Sequence, residues 1–293
     1  MIRYLTRNEL DIVKYDACIS NAQNFRVYAN SWFLDIVCDN WDVLVEDDYQ
    51  SVMPLPKRKK YGIHYIYQPP WTQQLGIFSL HSINEFAVLQ FIKKLPKKFK
   101  LIDVFLNSNN MMSSQRIKTR ANFILLLDKP YESLRKKYSK GRKSSCKQAK
   151  QFNLEIIENY DHKKIIQLFK KNKGAELNNK YSDYQILNKL TEHALRLNRI
   201  KSIGVINSND ELIGGAFFLI DKYRITYLFS AINDEGREKQ AMSFLIDHII
   251  ESNAGSNYIL DFEGSMITEL ASFFKSFGAH KEVYFHLKKY RVF

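Results

Sequence analysis

Residues 212–232 read LIGGAFFLIDKYRITYLFSAI, and this stretch decides the fold. Two runs rich in aromatic and β-branched residues, Leu212–Ile220 and Arg224–Ile232, flank a short polar break, as two adjacent antiparallel strands do. Upstream, Ile200–Ile206 is a third strand, joined to the pair by the hairpin-like turn Asn207-Ser208-Asn209-Asp210. Downstream, Arg237–Ile250 is an amphipathic helix with Ala241, Leu245, His248 and Ile249 near one face. A strand Tyr258–Phe262 follows. A helix over Met266–Phe277 is next, its Ile267, Leu270, Phe274 and Phe277 directed inward and its end set by Gly278. Two short strands close the chain. The pattern is that of a mixed α/β domain.

The first half repeats this order without repeating the residues. Tyr28–Val37 carries Trp32, Phe33, Ile36 and Val37 at helical spacing. Trp41–Val45, Ser51–Leu55 and Ile63–Tyr67 read as strands, Glu85–Leu95 as a helix with Phe86, Leu89 and Ile92 inward, and Leu101–Phe105 as a strand. Around Asn107–Asn110 the chain turns polar and is expected to cross between domains. Phe123–Leu127, Leu154–Ile157 and two helices, the first with Ile165, Leu168 and Phe169, the second with Leu187, Leu190, Ala194 and Leu197, lead into the Ile200 strand. Two mixed domains are therefore expected, 1–120 and 121–293, meeting between about Leu106 and Pro130. Each has a mostly antiparallel sheet flanked by helices, and a cleft is expected where they pack.

Composition bounds the function. With 293 residues, 45% of them hydrophobic, the chain buries a large core, and its 26% charged residues are those of a globular protein. Cys18, Cys38 and Cys146 are odd in number and widely spaced, which argues against a disulfide framework or a cysteine zinc site and for a reducing compartment. The first sixteen residues mix charges and lack the apolar core of a signal peptide. Apolar runs fall well short of about 20 residues, so no membrane span and a cytoplasmic location are expected. Lys+Arg exceed Asp+Glu by 44 − 31 = 13. That excess fits an acidic partner, or the lysine-rich coding habit of a low-GC bacterial genome. The densest basic stretch, Arg135–Lys150, reads as a largely exposed helix charged on nearly all sides and bordering the cleft, with Arg142 a candidate contact for an anionic substrate.

Three motifs, in order, carry a resemblance. Lys147-Gln148-Ala149-Lys150-Gln151-Phe152-Asn153-Leu154 ends the basic helix, Tyr258-Ile259-Leu260-Asp261-Phe262-Glu263-Gly264-Ser265 ends a strand, and Phe273-Phe274-Lys275-Ser276-Phe277-Gly278 ends the helix after it. They resemble the "R-x-x-I-K-x-A-x-K-x-G", "Y-x-D-F-G-G" and "F-K-x-x-F-G" stretches of the Fem-type peptidyltransferases, tandem GNAT-fold proteins that add amino acids to peptidoglycan precursors. The overlap covers Tyr131–Phe285, with support from the loop Pro70–Gly76. The resemblance implies two GNAT-like domains and acyl transfer to an amine without a covalent enzyme intermediate. Two departures matter. Asp161–Asn198 holds two short helices where relatives that use aminoacyl-tRNA often insert a long helical hairpin, which weakens the tRNA-dependent reading and leaves an acyl-CoA-type or uncharacterised donor open. Glu263 replaces the first glycine after Asp-Phe and adds a carboxylate.

The resemblance also places candidate site residues. GNAT enzymes seat a pyrophosphate on the N–H groups at the start of the central helix. Here that start is Gly236-Arg237-Glu238-Lys239-Gln240-Ala241-Met242, where Arg237 fits and Gln240 and Met242 stand where small residues belong. Backbone groups of Phe229, Ser230 and Ala231 are expected to hold the acyl oxygen. Glu263 or Asp261 is a candidate base, with Asp261 equally able to brace the loop. Ser265 is a candidate acid or helix cap, and Tyr227 faces either the sheet surface or the core. Trp71, Gln73 and Gln74 either line a substrate groove or belong to a packed, proline-locked loop. No H-x-x-x-H, G-x-G-x-x-G, P-loop or G-x-S-x-G occurs, so no metal is expected and the Rossmann, P-loop NTPase and α/β-hydrolase readings fall. The function read is an N-acyltransferase with acyl-CoA as co-substrate and a small or peptide-like amine as acceptor. The rival readings are a basic module for nucleic acid or an anionic surface, and a tRNA-dependent aminoacyl ligase.

Overall fold

A computed structural model describes residues 1–113, 117–172, 181–264 and 266–291. Contacts divide the chain into two compact units, one of 1–121 with 283–293 and one of 122–282. The first unit contains β1 (Ile2–Leu5), α1 (Ile12–Asn21), α2 (Ser31–Val37), β2 (Trp41–Glu46), β3 (Ser51–Lys60), β4 (Ile63–Tyr67), β5 (Phe78–Ser79), α3 (Glu85–Lys94) and β6 (Phe99–Leu106). Next come β7 (Lys118–Leu126), α4 (Tyr131–Lys136), α5 (Lys140–Ala149), β8 (Glu155–Glu158), α6 (His162–Asn172) and α7 (Tyr181–Arg196). The chain goes on through β9 (Ile200–Ile206), β10 (Leu212–Ile220), β11 (Arg224–Ile232), α8 (Asp234–Glu238), α9 (Ala241–Ser252), β12 (Ile259–Asp261), α10 (Thr268–Lys275) and β13 (His280–Tyr290). Within each unit the strands pair mostly antiparallel, as the alternation of short apolar runs and polar turns leads one to expect.

In the first unit the parallel pair is β4 with β6, registered Tyr65↔Leu101 to Tyr67↔Asp103. Met53, Leu55, Ile66, Phe91, Phe99 and Leu106 lie in its buried core. Two short final strands were expected. One long strand forms instead, and its Phe285–Tyr290 pair antiparallel with Leu101–Leu106. The last residues thus group with the first unit rather than with 121–282, because β6 has a free edge and buried Phe285 and Leu287 complete its core. Helix α3 buries Ile92 as expected, but Val88 and Phe91 join it in place of Phe86 and Leu89, which are exposed.

The loop that leaves β4 runs back alongside β6. Phe105 N–H donates to Gln68 Oε1 at 2.9 Å, Leu75 N–H to Phe105 O at 2.8 Å, and Asn107 N–H to Leu75 O at 2.8 Å. Leu75 thereby forms a parallel bridge to Leu106. Asn107 and Asn110 do not mark a crossing; both are fully buried, and the Asn110 carboxamide accepts from Ile77 N–H at 2.7 Å. Gly76 is required here. Its φ is +92°, and a Cβ would stand 2.2 Å from Asn110 Oδ1.

In the second unit the strand order is β7-β12-β11-β10-β9-β8, and β11 with β12 is the parallel pair. Adjacent glycines let helices approach both faces of β10. A Cβ on Gly214 would meet Ala241 of α9 at 3.3 Å, and one on Gly215 would meet Ile165 of α6 at 2.9 Å. The basic stretch is not one helix charged all round. It breaks at Lys137–Ser139, where the Ser139 hydroxyl caps α5, and Gly141 lies inside that helix. Leu134, Tyr138, Cys146 and Ala149 form its buried side. Tyr131 and Tyr138 both donate to buried Asp247 on α9, at 3.0 and 2.9 Å. No described helix is long and apolar enough to cross a membrane.

Candidate active site

The parallel pairing of β11 with β12 spans only Arg224↔Ile259, Ile225↔Leu260 and Thr226↔Asp261. Beyond Thr226 the strands part, and β11 runs on for six residues. A cavity of about 600 Å³ opens there, lined by Tyr227, Ser230, Ala231 and Ile232 of β11 and by residues of α6, α8, α9 and α10. Its position follows from the sequence. Asp261 and Phe262 turn away from β11 into a left-handed corner at Glu263 (φ +53°) and Gly264 (φ +43°), so the chain cannot continue the ladder.

The start of α9 forms one side. Asn233 caps α8 by accepting from Gly236 N–H at 2.8 Å. Gly236 lines the cavity, and a Cβ on it would stand 2.2 Å from Ile213 O. The helix then breaks, because Gln240 is left-handed (φ +61°), and α9 restarts at Ala241. The single amphipathic helix read over Arg237–Ile250 is therefore two. A glycine would hold this corner at lower cost. The Gln240 side chain folds back: its Nε2 donates to Arg237 O at 3.2 Å, and its Oε1 accepts from Ser243 Oγ at 3.2 Å. The N-terminal N–H groups of α9, which lack intrahelical partners by geometry, meet the cavity beside that side chain.

Arg142 reaches this place from α5. Its Nη1 donates to Ser243 Oγ, its Nε donates to Ser276 Oγ at 2.9 Å, and its guanidinium lies 4.3 Å over the Phe273 ring. Burial pulls its pKa below the ordinary value, against the pull of Cys146 and Tyr138, but a guanidinium stays charged at any physiological pH. Arg237 is half-exposed and ion-paired with Asp234. The Tyr227 hydroxyl stands near the Ser230 side chain. Burial holds its phenol well above the ordinary pKa, the Ser230 contact opposing, so at neutral pH it is a proton donor and not a base.

The structure thus gathers Tyr227, Ser230, Ala231, Arg237 and Gln240 on one cavity, with Arg142 bonded to its lining. Phe229 and Ala241 are buried beside it, Phe229 stacked on Phe217 at 5.3 Å. Asp261 is not at the cavity. It is buried, pairs with Arg224 Nη1 at 2.5 Å and accepts from Glu263 N–H at 2.9 Å, while Arg224 also holds Glu282 at 2.8 Å. These contacts are those of a brace for the loop. Burial alone would lower the Arg224 pKa, but the two carboxylates raise it above its ordinary value. Glu263 stands at the corner and is not among the lining residues; the carboxylate that lines the cavity is Glu269, in the first turn of α10, which sequence reading missed. Ser265 lies outside the described residues.

Trp71, Gln73 and Gln74 belong to the first unit. Gln74 is fully buried, donating to Gln73 Oε1 at 2.7 Å and accepting from Ser108 N–H at 3.1 Å. It locks the loop rather than presenting an amide to a ligand. Trp71 is half-buried at a left-handed corner (φ +57°). Among the described residues no cluster of His, Cys, Asp or Glu is placed to hold a metal.

No protein-family model and no curated protein matches the sequence. Solved structures do match it. FemX aligns with a TM-score of 0.68 at 12% identity, over 97% of this chain and 96% of that one. A conserved protein of unknown function from Bacteroides thetaiotaomicron VPI-5482 aligns with a TM-score of 0.63 at 11% identity, over 99% and 100%. The C-terminal domain of a protein described as a lysylphosphatidylglycerol synthetase, from Agrobacterium fabrum, aligns with a TM-score of 0.59 at 9% identity, over 94% and 90%. At such identities the likeness is one of fold: this chain has the fold of FemX and of the lysylphosphatidylglycerol synthetase C-terminal domain.

Proposed function

We propose that the protein is an N-acyltransferase that moves an acyl or aminoacyl group from an activated donor to an amine by direct attack. The observation that carries this reading is the parting of β11 from β12 at Thr226/Asp261, with Tyr227 and Ser230 lining the cavity that opens. The amine lone pair attacks the acyl carbonyl, and the oxygen charge that develops lies against the exposed edge of β11. As the C–N bond forms, the bond to the leaving group breaks. The leaving group keeps the electron pair and takes a proton from the Tyr227 hydroxyl. The proton lost by the amine passes to Glu269 or to water, and Tyr227 recovers its proton from solvent.

An acyl-CoA thioester is the donor to test first. Arg237 and the start of α9 suit its phosphates, whereas the Gln240 side chain crosses the place where they would approach. The assay is thiol release from a panel of acyl-CoAs in the presence of amines. Tyr227→Phe should lower turnover by about 10²–10⁴ and leave the urea midpoint unchanged. Full turnover in Tyr227→Phe would remove the proposed acid, and no thiol release with any acyl-CoA would remove the thioester donor.

A further inference from the structure

Resting on that reading of the cavity, we propose that the acyl group it carries is a medium or long aliphatic chain rather than a short or charged one. The first observation is a mismatch along α10 and the residues flanking it. Ile267, Leu270, Phe274 and Phe277 form one apolar stripe at helical spacing, and such a stripe normally enters a core whole. Here Phe274 and Phe277 are buried, while Ile267 is 58% exposed and Leu270 45% exposed, and both line the cavity. Met266, next to them, is 60% exposed. An apolar patch left uncovered in this way at the mouth of a cavity marks a place that an apolar ligand covers.

The other walls agree. Phe169, Tyr227, Phe273 and Met242 complete an apolar interior, in a cavity of about 600 Å³ that has room for a chain of several methylenes beside the reacting groups. The polar lining is already engaged. Arg237 pairs with Asp234, Ser243 with Arg142 and Gln240, and Asn172 with Leu168 O. A cationic aminoacyl side chain would require a carboxylate inside, and the carboxylate in the lining, Glu269, belongs to an exposed residue. An aliphatic chain needs none of these groups.

The test reads the chain subsite apart from any leaving group. The full-length protein is titrated calorimetrically with acetate, butyrate, hexanoate, octanoate and decanoate. Each added pair of methylenes should tighten binding about tenfold until the cavity is filled. Leu270→Asp sets a carboxylate in the wall at a half-exposed position and should abolish that dependence with an unchanged urea midpoint. Phe86→Asp, on the exposed face of α3, should keep it. Affinity that is flat along the series overturns the proposal, and so does a dependence that survives Leu270→Asp. The acyltransferase reading fails separately. Turnover of acetyl-CoA with a flat carboxylate series would sink the long chain and leave acyl transfer standing. A steep series with no turnover of octanoyl-CoA or any other acyl-CoA would sink acyl transfer and leave the chain-binding cavity standing.

Discussion

Replacing Asp261 by Asn should cost stability and spare chemistry, and the size of the cost can be worked from its partners. The carboxylate is buried, takes Arg224 Nη1 at 2.5 Å on one oxygen and Glu263 N–H at 2.9 Å on the other. Asparagine keeps the acceptor for Glu263 but presents no charge to the guanidinium. Removing one member of a buried ion pair costs about 3–5 kcal/mol, because the survivor stays buried without its counter-charge. Here Arg224 retains Glu282 at 2.8 Å, so the loss should sit near the lower bound, about 3 kcal/mol. For a unit of this size that is a fall in Tm of about 6–12 °C. Arg224→Met leaves Asp261 and Glu282 together without a cation and should cost more, about 5 kcal/mol. Urea and thermal unfolding measure both, and turnover of the folded variant, once a substrate is in hand, should stay within about tenfold of the parent. A parental Tm with turnover reduced a hundredfold or more would refute this reasoning and return Asp261 to the chemistry.

Three further outcomes are expected. Gln240→Gly should leave stability within about 1 kcal/mol of the parent, because relief at the left-handed corner offsets lost side-chain bonds and added chain entropy, whereas Gln240→Val should cost more than about 1 kcal/mol; urea midpoints decide. Hydrogen bonds from Lys239 and then Asn207 hold the Glu235 carboxyl below its ordinary pKa, so the stability it contributes is complete above about pH 4.3 and is lost as pH falls through the folded-state value. Glu235→Gln should therefore flatten the acid limb of a stability–pH profile between about pH 5 and 3 and leave the alkaline limb unchanged. The Cys146 thiol is pushed up to about 12, chiefly by burial, so iodoacetamide should label it only after unfolding; rapid labelling of the native chain at neutral pH would contradict its placement.

Much of the second unit was legible because its strands are continuous apolar runs cut by polar turns. β10 and β11 begin and end at the expected residues, Leu212–Ile220 and Arg224–Ile232. What failed were features that no local pattern encodes. Nothing in Gln240 signals a left-handed corner, since glycine or asparagine is the usual mark, and so one helix was read where two stand. Helix α3 carries apolar residues on more than one face, and Phe86 and Leu89 fit a stripe as well as Val88 and Phe91 do; packing chose the second set. For Asp261 the sequence left base and brace equally open, because a strand-end carboxylate suits both. Its partner Arg224 lies 37 positions away in sequence, where no local pattern points to it. Glu269 escaped notice because an acid in the first turn of a helix is commonplace.

The two units answer the same structural problem in opposite ways, and that difference bears on where chemistry takes place. Each has one parallel pair, β4 with β6 and β11 with β12, in an otherwise antiparallel sheet. In each, one member stops while its neighbour runs on, which leaves backbone groups that need partners. In the first unit the chain itself supplies them, through Gln68 and Leu75 against Phe105 and through Leu75 against Asn107, and Gly76 lets the loop come close enough. Proline and glycine in Pro69–Gly76 were visible in the sequence, but their target on β6 was not, because the register of a loop against a strand is set by the whole fold. In the second unit Glu263 and Gly264 turn the chain away, and the edge of β11 beyond Thr226 faces a cavity instead of a loop. A strand edge left open beside a helix N-terminus is costly to a protein with no ligand for it and useful to one that binds a carbonyl there. On this argument the β11 edge, rather than the β6 edge, is where a carbonyl-bearing ligand should be sought.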